Sequence, residues 1–187
     1  MRVAAVLSSI VVLASSAVWT AASAQDGDRG VTSPPFYIDR DARFAIMFPG
    51  EPAVTDMTYT TKAGAQFPAR QFSVVQGPNK YSVTVVDFSA GPAVDDEIVD
   101  NAADELIRMG ELVYQASAEY EPGVGSRQLM VSLSDGNQIQ GSVYMWDHRL
   151  FITEARGAPG VPSLLRFAQS ITLFMADGNE VNNDVRP

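Results

Sequence analysis

The side chains able to do chemistry are few. His148 is the only histidine and there is no cysteine. Any Ser-His-Asp machinery must therefore use His148. Thiol nucleophiles, disulfides, thiolate metal or iron-sulfur sites and haem attachment through Cys are excluded, as is a three-histidine metal site. His148 lies in Asp147-His148-Arg149, a predicted two- or three-residue hairpin turn. A turn tip is wet and mobile, a poor place to hold a base within reach of a nucleophile, so His148 is expected to be an exposed turn residue. Asp96, Asp100 and Asp104 recur at four-residue steps. They would suit a cation or a basic partner, but the same spacing describes a solvated helix face, helped by Arg108 four residues after Asp104, and that is the expectation. Asp177-Gly178-Asn179-Glu180 has the residue types of a calcium loop without its spacing, since Gly falls second and Val181 takes a ligand position. Catalytic residues, metal ligands and cofactors are accordingly expected to be absent.

The elements that would position these groups follow from turn chemistry and periodicity. From Gly125 to Phe174 the pattern reads as strand, turn, strand, turn, strand, short helix and closing strand. Leu129, Val131 and Leu133 alternate with Met130 and Ser132, and Ser134-Asp135-Gly136-Asn137 supplies the left-handed backbone of a tight reversal. Gln138 to Trp146 returns with Ile139, Val143 and Met145 on one parity and Gln138, Gln140, Ser142, Tyr144 and Trp146 on the other. Leu150 to Arg156 completes an antiparallel meander. Gly157-Ala158-Pro159-Gly160 halts it, Pro162 suits a helix start, and Leu164, Leu165, Phe167 and Ala168 give that helix a packing face before Ile171 to Phe174.

Upstream, Tyr37 to Phe48 reads as one half-buried strand ended by Phe48-Pro49-Gly50-Glu51-Pro52. Ala53 to Thr61, rich in Thr, suits an exposed or edge strand. Gln66 to Gln76 and Tyr81 to Phe88 follow across Gly77-Pro78-Asn79-Lys80, giving a first antiparallel group separate from the meander, so that the meander is half of a two-layered sheet assembly. Ile98, Ala102 and Leu106, beside Val99, Ala103 and Ile107, then form one wide apolar helical face. Asp95 is its N-cap, Asp96 and Glu97 occupy the first turn, and Gly110 ends or frays it. Glu111 to Tyr120 is a further short strand.

The N-terminus carries Arg2, an uncharged stretch from Val3 to Ala24, and Ala22-Ser23-Ala24 before Gln25, the small-x-small pattern of a signal peptidase site. Cleavage between Ala24 and Gln25 is expected, although the stretch is long enough to be an uncleaved anchor. The domain plan is a signal peptide at 1–24, a flexible linker at 25–35, one domain at 36–175 and a disordered tail at 176–187. Without a Cys there is no lipid attachment at the mature N-terminus, so the product is expected to be periplasmic or secreted, soluble, and held by its core alone. Loss of Arg2 takes the formal charge from -9 to -10, which argues against nucleic acid and anionic membranes as partners.

The order of these features resembles small exported bacterial proteins of the DcrB-like and PsbP-like type. The resemblance rests on Phe48-Pro49-Gly50-Glu51-Pro52, the mid-chain amphipathic helix, the meander around Asp135-Gly136 and Phe167-Ala168-Gln169-Ser170-Ile171, over about Tyr37 to Phe174. It implies an α+β fold, an α/β/α sandwich with a mostly antiparallel sheet and helices packed on both faces, and it brings no catalytic motif. In such a sandwich Tyr144 and Trp146 would be core under a helix; facing outward, they would form a patch for a protein or ligand. The expected function is a non-enzymatic accessory or interaction module for a protein or envelope component. The alternative is a periplasmic hydrolase using carboxylates, the only abundant acid/base groups.

Overall fold

Where the chain reverses is set by a few residues able to take left-handed backbone. Gly77 (φ 58°) precedes Pro78, whose ring fixes a negative φ, so the pair meets the Gly-X requirement of a tight hairpin. Gly136 (φ 82°) closes the Ser134–Asn137 loop, where Leu133 N donates to Asn137 O and Gly136 N to Leu133 O. Asp147 (φ 43°) and His148 (φ 61°) are both left-handed, the geometry of a two-residue primed turn built without glycine.

The computed structural model describes residues 36–91, 95–117 and 124–181, all within the unit Thr32–Pro187. The expected signal peptide with its Ala24/Gln25 junction and the linker lie outside the described residues. The elements are β1 Tyr37–Asp39, β2 Phe44–Ile46, β3 Ala53–Thr60, β4 Gln66–Gln76, β5 Asn79–Asp87, α1 Asp96–Ile107, β6 Glu111–Ala116, β7 Gly125–Ser132, β8 Gln138–Trp146, β9 Arg149–Gly157, α2 Pro162–Gln169 and β10 Thr172–Leu173. Seven strands form one antiparallel sheet in the order β3-β4-β5-β9-β8-β7-β6, and β1-β2-β10 form a small second sheet. The fold is thus mostly antiparallel sheet with two helices.

Three expectations are corrected. The first strand is a hairpin: Asp39 Oδ1 accepts from Ala42 N, Arg43 takes φ 63°, and β1 pairs back on β2. The first strand group and the meander are not separate layers, because β5 pairs with β9 along its length, from Lys80 opposite Arg156 to Asp87 opposite Arg149. The segment after Phe174, expected as disordered tail from Ala176, doubles back through Gly178 (φ 86°), with Val181 N donating to Leu173 O and the Val181 side chain buried. The rest of that tail, 182–187, lies outside the described residues.

Alternation along the strands sorts the core into two clusters. Val143 and Met145 of β8 join Val99, Ala102, Ala103 and Leu106 of α1, while Tyr144 joins Leu164 and Phe167 of α2 with Phe44, Ile46 and Phe48. Each of the larger aliphatic and phenyl side chains among them contributes roughly 1.5–3 kcal/mol of transfer free energy. Asp95 caps α1 as expected, its Oδ1 accepting from Glu97 N at 2.8 Å and Ile98 N at 3.3 Å. Helix α2 has no side-chain cap but starts on Pro162. It is held by Ser142 Oγ donating to Ala168 O at 3.0 Å, and Ser163 Oγ lies 2.8 Å from the Tyr81 hydroxyl.

Candidate functional site

Helix α1 runs along β7. Asp100 pairs with Arg127 at 2.7 Å near the start of both elements, and beyond the helix end Gly110 lies so close to the Ser132 carbonyl that a Cβ there would overlap it. The chain must then reverse at once into β6, which pairs with β7 and forms the last strand of the sheet. β6 contains a bulge. Leu112 lies opposite Val131, but the next pair is Tyr114 opposite Met130, so Val113 is the extra residue. In a regular strand residues 112 and 114 share a face; here the bulge turns Tyr114 to the other one. Val131 belongs to the α1 cluster, whereas Met130 lies on the parity of Ser142, which bonds to α2.

That redirection completes a groove of about 390 Å3 between the sheet and α2, lined among others by Tyr114, Met130, Gln140, Leu165 and Gln169. Its walls are apolar side chains and amides. Tyr114 is 53% exposed and Leu165 47%, and Leu112, Val113 and Met109 beside them are also exposed. Helix α2 packs on β8 and β9, and among the described residues it leaves the β6–β7 side of this face open. A strand starting at Glu111 is legible in the sequence, though it ends at Ala116 and 118–120 lie outside the described residues; its bulge is not legible, because alternation across six residues reads equally well either way.

A second, charged pocket of about 290 Å3 includes Asp41, Asp56, Asp87, Arg70 and Arg149. Its arginines are engaged. Arg70 reaches Asp39 at 3.4 Å and Asp56 at 4.0 Å, Arg149 donates to Asp41 O at 2.5 Å, and neighbouring Arg43 pairs with Asp147. Burial, then the nearby Arg43 charge, lowers the Arg149 pKa. Two carboxyls have raised pKa values through burial, Glu105 on α1 beside Arg108 and Glu154 on β9 beside Lys80 and Arg156. They stand on different elements with different partners. Tyr59, near Glu105, is pushed up to about 12, first by burial and then by that carboxylate.

The sequence-derived candidates scatter. His148 is not a free turn residue: half-buried, its Nδ1 lies 2.8 Å from Gly91 O, and its own carbonyl accepts from Phe88 N at 2.7 Å. A carbonyl only accepts, so Nδ1 carries the proton in this bond. The ring ties the β8–β9 turn to the segment after β5. Asp96, Asp100 and Asp104 are exposed, with Asp100 committed to Arg127. Asp177 accepts from Asn179 N in a local turn. No group of three or more acids, histidines or cysteines is placed to hold a metal ion among the described residues. Tyr144 is core, 2% exposed, and Trp146 is half-buried at the rim of the α2 cluster.

No family model and no curated protein matches the chain. Among solved structures it is similar to the cyanobacterial PsbP of Synechocystis sp. PCC 6803, with 17% identity, a TM-score of 0.50, and coverage of 79% of this chain and 96% of that one. A protein of unknown function from Pseudomonas aeruginosa matches at 15% identity and a TM-score of 0.33, covering 56% of this chain and 83% of that one. The first likeness gives the fold, which is PsbP-like. Among the described residues no helix is long and apolar enough to cross a membrane.

Proposed function

We propose that the chain is an exported, non-enzymatic accessory module of the DcrB-like and PsbP-like kind, and that it binds a protein or envelope component on the open face beside β6. Its architecture in this reading is the α/β/α sandwich, since adjacent β8 residues join the α1 and α2 clusters in alternation. The observation that carries the function is the exposed apolar surface of Tyr114 and Leu165 at the groove, with exposed Val113 at the strand's edge beside it. Contiguous apolar surface of this kind marks interaction sites.

The non-catalytic reading draws support from the charged partners of the two buried carboxyls, Arg108 for Glu105 and Lys80 with Arg156 for Glu154. In the charged pocket the acids with a described ion pair are held by arginines. Export is supported by the leader pattern and the Ala22-Ser23-Ala24 junction.

A photo-crosslinking residue placed at Tyr114, in the chain expressed and exported by its own cells, tests the surface. A discrete adduct is expected from position 114 and not from Thr55 on β3. No adduct at 114, or the same adducts from both, overturns the proposal. The N-terminus of the exported protein should be Gln25, and a chain still beginning at Met1 would sink the export reading.

A further inference from the structure

Among the described residues β6 is paired on one side only. An open antiparallel edge leaves alternate N–H and C=O groups free, a template on which another extended chain can pair. Many proteins block such edges with Lys or Pro. Glu111–Ala116 contains neither, and the one interruption of its edge is the bulge at Val113.

The flank beside this edge has a definite charge. On a helix of 3.6 residues per turn, the buried positions Val99, Ala102, Ala103 and Leu106 separate two sides. Glu105 lies on the side toward β3, where it acts on the Tyr59 hydroxyl, and Arg108, one turn beyond Asp104, stands between the two sides. Asp96, Asp100 and Asp104 lie on the opposite side, located over β7 by the Asp100–Arg127 pair. With Arg127 engaged, Asp96 and Asp104 remain exposed on this flank, whereas Glu111, opposite Ser132, stands on the other face of the sheet. The other border is the uncharged groove holding Tyr114, Met130 and Leu165.

The geometry points to strand addition at β6 by an extended segment of a partner protein that alternates Lys or Arg with apolar residues. This rests on the interaction surface proposed above and adds the chemistry of its occupant. Side chains of an added strand alternate between faces. One set would enter the groove beside Tyr114; the other would pass its stems over exposed Leu112 and present cations to Asp104. The bulge at Val113 adds local twist and selects against a flat strand longer than the edge.

Selection of random nonapeptides on the immobilised exported chain tests this. Enriched peptides are expected to alternate basic and apolar residues, to lack interior Pro, and to bind about tenfold more weakly in 1 M salt than in 0.1 M, as screened ion pairs require. In hydrogen exchange on the wild-type chain, an enriched peptide should slow residues 111–116 at least tenfold and leave 53–60 unchanged. The double variant Asp96→Lys, Asp104→Lys, at exposed positions, should lose about tenfold in peptide affinity. Acidic or proline-rich winners, slowing elsewhere than β6, indifference to the double variant, or no enrichment over the support overturns strand addition. If the Tyr114 adduct persists in that case, the surface stands and only the occupant is wrong; if both fail, both proposals fall.

Discussion

At one end of the seven-stranded sheet β3 offers solvent Thr55, Asp56, Thr58 and Thr60, with Val54 and Met57 exposed singly between them; at the other, β6 offers Leu112, Val113 and Tyr114 in succession. β3 follows Pro52, which cannot donate to a ladder, and carries a charge at its centre, Asp56, 4.0 Å from Arg70 of the neighbouring strand. β6 follows Gly110 and has a bulge at its centre. Both are edges of one sheet, and only the first has the composition that discourages another strand. The difference teaches that edge protection here is local and deliberate at β3, while β6 keeps apolar surface at a cost in solubility that a chain of net charge -9 can tolerate.

The same substitution at a glycine beside each edge should break the symmetry most. Gly110→Ala sets a Cβ into the Ser132 carbonyl, so either the α1–β6 reversal or the β6–β7 pairing must move. A loss of about 3 kcal/mol in urea unfolding is expected, of the size seen when packing is forced apart. Gly64→Ala, in the β3–β4 turn, meets no atom within 4 Å but must hold φ 83°. About 1 kcal/mol is expected there, from backbone strain alone. Equal losses would mean that β6 is not seated on β7 as described.

The β3 edge was legible because its signals are local: Thr-rich alternation, a loop at Gly64 and a proline before it. The β7–β8–β9 meander was legible for the same reason, since Asp135-Gly136 and Asp147-His148 fix their own turns. What escaped was nonlocal or hidden in residues without a turn signature. β5 to β9 pairing joins residues more than sixty apart, which no window of periodicity reports. The β1–β2 reversal depends on left-handed Arg43 where a glycine would have been the signal, and it is supported by Asp39 Oδ1 and the Arg43–Asp147 pair. His148 looked like punctuation because its partner, Gly91 O, comes from a distant segment. Of the candidate surface, the strand itself could be read, but the bulge that aims Tyr114 at Leu165 could not.

Charge at exposed positions tests function apart from stability. Val113→Lys puts a cation on the β6 edge where no described side chain packs tightly, so stability should stay within about 0.5 kcal/mol. The Tyr114 photo-adduct should fall at least tenfold, because edge lysine discourages strand pairing. Val54→Lys on β3 should leave both stability and adduct unchanged. If Val54→Lys abolishes the adduct and Val113→Lys does not, the binding edge has been assigned to the wrong end of the sheet. Arg127→Ala probes the support beneath β6. It removes a 2.7 Å pair to half-exposed Asp100, expected to cost about 0.5–1 kcal/mol in unfolding experiments, and it frees Asp100 to join the acidic border, so affinity for basic peptides should rise rather than fall.

The smallest effect separates the two flanks of α1 by their titration. Glu105, on the flank toward β3, has its pKa raised by burial, with Arg108 pulling it back. Its folded form therefore holds the proton more tightly than the unfolded form. As pH rises from the ordinary glutamate value through the raised one, the unfolded chain has already released its proton and the folded chain has not, so stability falls across that window and stays lower above it. Glu105→Gln should flatten that step and leave the protein slightly more stable at neutral pH, by a fraction of a kcal/mol because solvent screens this partly exposed group. Asp135, at the β7–β8 turn, supplies the opposite sign. Its pKa is lowered to about 2, first by the Asn137 backbone amide and then by the Arg156 side chain, so its contribution is present above the unfolded value and disappears as pH falls through about 2. Urea midpoints between pH 4 and 7 should thus respond to Glu105→Gln and not to Asp135→Asn in their slope with pH. A slope abolished by Asp104→Asn instead would place the responsible carboxyl on the β6 flank.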